Sequence, residues 1–335
     1  MTKPLLSICI PTYNRAEYLE KSLESLVSQP EFLQVEVVIS DNASTDRTEG
    51  VCKSYQEKYP NIRYFKNTEN IHDRNFPTAL MRACGIYRKL FNDTVIYEKG
   101  CLAYIIELIK KYTSDRIFLF FLNAQKLPRK ISAKCLLNDF DDFCTITGHR
   151  LTWIASFGLW EEDCENLESE FSFCELNLWQ TYKALKIASK QKKILLLSKK
   201  IISIQSVANR DYSYGLYTVF YKNFPSLLKP YIDSGELSES SYKKIRKDML
   251  YTQAAPWIFR ISETVRNNDV GSETDYKNLI LDEYRHEPYY PQFVLWNFFH
   301  YQLKNFHRKP LILLKKTGFG KKILVLKRKM NLKFY

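Results

Sequence analysis

Two short apolar runs bracket one amphipathic helix at the start of this chain, and each run ends in a cluster of polar and turn-forming residues. Leu5 with Ser7–Ile10, and then Val35–Ile39, read as buried parallel strands, because they are short, apolar and rich in β-branched residues. Between them Arg15–Ser28 places Tyr18, Leu19, Ser22, Leu23 and Leu26 on one helical face. Strand, helix and strand in this order form a right-handed β-α-β unit. Ligands of such sheets bind beyond the carboxyl ends of the strands. Pro11, Thr12, Tyr13 and Asn14 fall there after the first strand, and Asp41 and Asn42 after the second.

These residue types suit a nucleoside. Tyr13 can stack on a base, and Asp41 can accept from a base N–H or a ribose hydroxyl. Pro11, Asn14, Asp41 and Asn42 are also turn formers, but two such clusters at consecutive strand ends favour a ligand. No Gly-rich G-x-G-x-x-G follows the first strand, which argues against a dinucleotide cradle.

The strings LLSICIPTYNRAEYLEKSLESL, VEVVISDNASTDRT and NIRYFKNTENIHDRNF, in this order, resemble the inverting family-2 glycosyltransferases of bacterial surface polysaccharide synthesis. The similarity is closest to the abequosyltransferase-like and capsule-type branch. It covers residues 4–115 well and 145–205 weakly. The resemblance implies a GT-A fold and a nucleotide-sugar donor. By motif position it puts Pro11, Thr12, Tyr13, Asp41 and Asn42 around the nucleoside, and Asn70 and Arg74 near the donor ribose or phosphates.

The rest of the chain extends the same pattern. Asp46 and Glu49 have capping-box spacing before a helix that Pro60 stops. Ile62–Phe65 reads as a strand, Pro77–Cys84 as a helix, Tyr87–Phe91 as a strand, Lys99–Lys111 as an amphipathic helix and Arg116–Leu122 as a buried strand. Phe171–Ala188 reads as a helix, and Lys193–Leu197 and Ile201–Ile204 as strands. Alternation of this kind predicts an α/β fold: a GT-A-like, Rossmann-type mixed sheet flanked by helices, with a mostly helical C-terminal extension. The expected domains are a glycosyltransferase domain over residues 1–210, split near 115 into nucleotide-sugar and acceptor halves, a helical region over 211–307 and a basic tail over 308–335. At 335 residues and 45% hydrophobic content the chain can build a sizeable core. No apolar run is long enough for a membrane span, no signal peptide precedes the first strand, and the eight cysteines form no C-x-x-C pair. A reducing cytoplasm is the expected setting.

Two motifs depart from the resembled family. Its acidic Asp-x-Asp arrangement after the fourth strand holds Mg²⁺ or Mn²⁺ against the donor diphosphate, whose charge grows as it leaves. Here Phe91-Asn92-Asp93-Thr94 stands at that place, so Asp93 is the carboxylate and Asn92 a weaker oxygen ligand. Weak metal binding, or metal arriving with the donor, is expected. The family's catalytic base is the Asp of a Glu-Asp pair at a helix start, four residues before a Trp or another bulky residue. Spacing back from Trp179 puts Cys174-Glu175 at that pair, which makes Glu175 the candidate base; an amphipathic helix also carries solvated glutamates of this kind. Asp163 and His149 are the further candidates for acceptor or base roles.

Arg308–Tyr335 carry ten Lys or Arg and no acid, interleaved with Leu311–Leu314, Ile323–Leu326 and single apolar residues. That pattern fits an interfacial segment on anionic lipid and peripheral attachment at the inner face of the cytoplasmic membrane. A packed helix or oligomer contact is the alternative. Nucleic acid is disfavoured, because no base-stacking module accompanies the charge. The function these features support is sugar transfer from a nucleotide-sugar donor to a saccharide acceptor, lipid-linked in keeping with the family. The second reading is a nucleotide-sugar-binding relative of weak activity within an assembly complex, since both acidic motifs are eroded. A nucleotidyltransferase is disfavoured for want of a basic Gly-rich loop near the first strand.

Overall fold

The computed structural model describes residues 3–191, 193–206, 215, 217–256 and 276–297. The basic tail lies outside the described residues. The chain divides into two compact units, Met1–Ile245 and Arg246–Tyr335.

In the first unit β1 (Leu6–Thr12) and β2 (Glu36–Asp41) are buried along their whole length, and α1 (Ala16–Val27) crosses between them. Burial on both faces is why these segments read as unbroken apolar runs. α2 (Thr48–Lys58), β3 (Ile62–Lys66), α3 (Asn75–Arg82) and β4 (Tyr87–Leu90) complete the parallel part, with strand order β3-β2-β1-β4. The register pairs Thr12 with Asp41 and Asp41 with Lys66, so the polar strand ends form one row. Leu19, Leu23 and Leu26 of α1 pack with Ile8, Ile10, Val37 and Ile39 in the main core.

β5 (Val95–Tyr97) and α4 (Cys101–Tyr112) follow, then β6 (Phe118–Phe121) and β7 (Lys134–Leu137). After α5 (Phe140–Thr147), β8 (Gly158–Trp160) adds antiparallel to β4. Gly158 is required there: a Cβ on it would lie 2.6 Å from the Tyr87 ring. An antiparallel bridge from Phe157 to Phe120 leads on to β6, which pairs parallel with β9 (Ile194–Leu197); β7 pairs antiparallel with β9. β10 (Ile202–Ile204) pairs with β5. The expected α/β mixed sheet flanked by helices is therefore present. α7 (Phe224–Asp233) and α8 (Glu239–Met249) begin the helical C-terminal region. The second unit holds helices Tyr276–Asp282 and Tyr290–Asn297, and Tyr251 packs edge-on against Phe293 of the latter at 5.3 Å and 88°.

Two local expectations are corrected. The helix read over Phe171–Ala188 is two elements: a 3₁₀ run, Leu167–Leu176, and α6, Trp179–Lys190. Asn177 separates them with a left-handed φ of 53°, a conformation Asn tolerates better than most residues. The capping box at Asp46 does not close either. Asp46 accepts from the Thr48 amide and from the Ala16 amide, tying α2 to α1, while Glu49 pairs with Lys53 and Lys66.

Lys89 is the unusual core residue. It is fully buried on β4, donates to the carbonyls of Ala155 at 2.8 Å and Phe157 at 3.4 Å, and lies 4.0 Å from the Phe121 ring centroid. Burial pushes its ammonium down to about 7.

Candidate active site

At the carboxyl edge of the parallel strands the loops are bound to one another by side chains. Asn14, at a left-handed φ of 50°, accepts from the Thr45 amide at 2.8 Å, and its own amide donates to Ser44 Oγ at 2.9 Å. Asp41 is fully buried. One carboxylate oxygen accepts from the Ser44 amide at 2.9 Å and the other from the Tyr64 hydroxyl at 2.7 Å. Asp41 thus builds the wall behind the loop, whereas Tyr13, 43% exposed, presents its ring at the surface. Pro11 stays within β1 opposite Ser40.

Asn42 is the hub of an amide network. It donates to Asn70 Oδ1 at 2.6 Å, and its own oxygen accepts from the Ile71 amide at 2.9 Å and from Asn67 at 3.0 Å. Asn75 and Arg82 close the network through Ser40, at 2.6 Å each. The loop before α3 is thereby shaped from the end of β2. With the segment before α6 it encloses a cleft of about 490 Å³, lined by Glu69, Asn70, Ile71, His72, Asp73, Arg74, Cys174, Glu175 and Asn177. Asn70, Arg74 and Glu175, read separately from the sequence, meet here. Arg74 Nη2 lies 3.7 Å from Glu175 Oε1, and its guanidinium is 5.9 Å from the Phe171 ring. The Glu175 side chain is 73% exposed and free to turn to a ligand. Asp73 was missed in the sequence; burial pushes its carboxyl up to about 6. Its place between Asn70 and Arg74, in a loop following a strand end, was the signal available.

Asp93 lies on the other side, behind Thr12. Its carboxylate accepts from the Thr12 hydroxyl at 2.9 Å, and burial pushes its pKa up to about 6 against the pull of that bond and of Arg15. It does not line the cleft with Glu175. The neighbouring Asn92 Oδ1 is buried with no hydrogen-bond partner among the described residues. No group of three or more His, Cys, Asp or Glu that could hold a metal ion occurs among the described residues. One carboxylate beside one unsatisfied amide oxygen still fits a Mg²⁺-type ion, which usually keeps waters and takes one or two protein carboxylates plus substrate phosphates.

Neither reserve candidate reaches the cleft. His149 sits in a 3₁₀ turn, Gly148–Thr152, which α6 holds through Gln180 and Thr181. Asp163 lies at the opposite edge of the sheet. It follows β8, whose next residue, Glu161, donates its amide to Ile86 before the start of β4. A parallel sheet with its polar loops and cleft at the carboxyl ends of its strands is the arrangement in which open α/β sheets bind ligands.

Comparison with known proteins agrees. Residues 7–133 match the family model Glycosyl transferase family 2. The abequosyltransferase RfbV of Salmonella typhimurium is 44% identical over 102 residues, 30% of this chain and 31% of the relative. A Campylobacter jejuni enzyme, GalNAc(5)-diNAcBac-PP-undecaprenol beta-1,3-glucosyltransferase, is 39% identical over 106 residues, 31% of this chain and 34% of the relative. The matched stretch spans about a third of the length of these relatives. In structure, residues 1–349 of S. aureus TarS in complex with UDP-GlcNAc align with a TM-score of 0.57 at 14% identity, covering 98% of this chain and 93% of that one. The complex with UDP gives 0.53 at 15% identity, covering 90% and 93%. The similarity to family-2 glycosyltransferases thus lies in the N-terminal segment, and the solved structures share a GT-A-like fold with the chain.

Proposed function

We propose that this chain transfers a sugar from a nucleotide-sugar donor to a saccharide acceptor, by inverting direct displacement, in the synthesis of a bacterial surface polysaccharide. The observation that carries the reading is the single cleft in which Asn70, Arg74 and Glu175 meet beyond the strand ends. Tyr13 stacks on the base, and Thr12 and the Asp41–Tyr64 pair hold the loops that receive it. Asn70 and Arg74 bind the ribose or diphosphate; the guanidinium matches a phosphate as a planar fork. Glu175 takes the proton of the acceptor hydroxyl as that oxygen attacks the anomeric carbon. Asn92 and Asp93 are the residues that would hold Mg²⁺ or Mn²⁺, and a bound cation would neutralise charge on the leaving diphosphate.

The test is a thermal-shift screen against UDP, GDP, CDP and dTDP, followed by donor hydrolysis with the nucleotide that binds. A stabilising nucleotide and release of its diphosphate from the sugar form are expected. Binding without any turnover would leave a nucleotide-sugar-binding relative instead.

The metal reading has its own pH signature. Asp93 must ionise to hold a cation, and its carboxyl is held near 6. Metal-dependent nucleotide binding should therefore strengthen as pH rises from 5 to 7 and level off above. Asp93→Asn should abolish that rise while metal-free binding persists. Calorimetric titrations across this range that match in both proteins would remove Asp93 from the metal site.

The acceptor we infer to be lipid-linked, as the printed name of the Campylobacter jejuni relative indicates for that protein. Among the described residues no helix is long and apolar enough to cross a membrane. The acid-free segment Arg308–Tyr335 is the proposed contact with an anionic membrane surface, at about 1 kcal/mol per basic residue. The intact chain should co-sediment with anionic vesicles and lose them as salt rises; equal binding to neutral vesicles would exclude this role.

A further inference from the structure

The ten-residue 3₁₀ run Leu167–Leu176, which carries Glu175 in its last turn, needs an external constraint. Such runs rarely exceed three or four residues, because their hydrogen bonds are poorly aligned. Their conformation then depends on what packs against them. Leu167 and Cys174 are buried, Phe173 stacks flat on Tyr182 of α6 at 3.6 Å, and Asn223 donates to the Leu176 carbonyl at 2.9 Å. These contacts hold the run down, but apolar contacts and stacking tolerate sliding.

One interaction does not. Glu170 is 4% exposed and Lys183 of α6 is 5% exposed. Glu170 Oε1 accepts from Lys183 Nζ at 3.1 Å and from the half-buried Lys186 Nζ at 2.8 Å, while its second oxygen is buried without a hydrogen-bond partner among the described residues. A buried ion pair is a poor source of stability, since desolvation offsets most of the attraction, and apolar replacement is often neutral. Its established use is to fix register, because any displacement strands a buried charge. Glu170 stands five residues before Glu175 in the same run, and its partners Lys183 and Lys186 stand on the helix that begins at Trp179.

We propose that the buried Glu170–Lys183 pair, backed by Lys186, is the positioning device that sets the register of the 3₁₀ run and so holds Glu175 in the cleft. The proposal rests on the reading of Glu175 given above. It makes Glu170 and Lys183 positioning residues that touch no substrate. It also accounts for a buried charge pair between this run and α6.

The decisive variant is the apolar double exchange Glu170→Leu with Lys183→Met, in the full chain. Its unfolding midpoint should stay within a few degrees of the wild type. Nucleotide affinity should also hold, since Asn70, Arg74 and Tyr13 stand on other segments. Turnover should fall on the order of 10²-fold, the effect of a displacement of about 1 Å of a reacting group. A second readout needs no turnover. Cys174 is buried next to Glu175, whereas Cys84 is exposed. Thiol labelling followed by peptide mass analysis should find Cys84 and the half-exposed Cys135 open to modification and Cys174 protected in the wild type, and Cys174 modified as well in the double variant. Should that variant not fold, Glu170→Asp keeps the charge and shortens the reach by one methylene; at least a 10-fold loss of turnover with unchanged nucleotide affinity is expected. Wild-type turnover with Cys174 still protected, in whichever variant folds, overturns the proposal. Wild-type turnover and its loss in Glu175→Gln are measured in parallel: absence of the first defeats the functional reading and absence of the second the base, while Cys174 protection judges the pair alone.

Discussion

Glu175→Gln should lower turnover by about 10²–10⁴-fold while donor affinity stays close to that of the wild type. The amide keeps the shape and the contact distance to Arg74 but cannot take a proton. The ion pair it breaks joins two half-exposed or exposed side chains at 3.7 Å and contributes little to stability. The unfolding midpoint should therefore be unchanged, which separates a lost base from a damaged fold. Single-turnover measurement with saturating donor is the suitable check. Full turnover in the variant would move the proton transfer to Asp73 or Glu69, the other carboxylates of the cleft; lost donor binding would make Glu175 a binding residue.

Lys89→Met should stabilise the protein at pH 6, by on the order of 3 kcal/mol, and the gain should shrink as pH rises. The folded chain holds the Lys89 ammonium down near 7, against 10.5 for the free side chain. Between those values the unfolded chain binds a proton that the folded chain has released, so wild-type stability rises with pH. Below about 7 both states are charged and the full cost of the buried cation is present. Methionine is similar in length, fits between Phe91 and Phe121, and loses only the bonds to the Ala155 and Phe157 carbonyls. Denaturant titrations at pH 6 and 8.5 on both proteins measure the difference. A gap independent of pH would show that Lys89 stays charged throughout, with the two carbonyls and two rings sufficient to hold it.

The β-α-β start was legible because β1 and β2 are buried on both faces, so their sequences are unbroken apolar runs bounded by Pro11-Thr12 and Asp41-Asn42. β5 and β8 were not, since strands of three residues carry no period and exist through their partners, Tyr97 with Ile202 and Tyr87 with Trp160. The break at Asn177 was hidden for another reason. The residues around it keep a helical spacing of apolar side chains, and only the backbone angle ends the run. At the candidate site, Asn70, Arg74 and Glu175 were named by motif position, and the structure brings these three to one cleft. That Asn42 bonds Asn70, and that Tyr64 bonds Asp41, depends on contacts across 28 and 23 residues, which no local pattern records.

The network of Asn42, Asn67, Asn70 and Asn75 has a consequence for how the cleft answers its surroundings. Amides neither titrate nor attract counterions, so the amide part of this frame does not answer to acidity or ionic strength. Dependence of ligand capture on those conditions would then come from the ionisable side chains set into the frame: Glu69, His72, Asp73, Arg74 and Glu175 within the cleft, Arg82 where it closes the network, and Asp93 beyond it. The scaffold supplies constancy, and a handful of side chains supply the response. A donor with a different anionic group could therefore be accommodated by exchanging one of those few residues, with the loop itself left as it is.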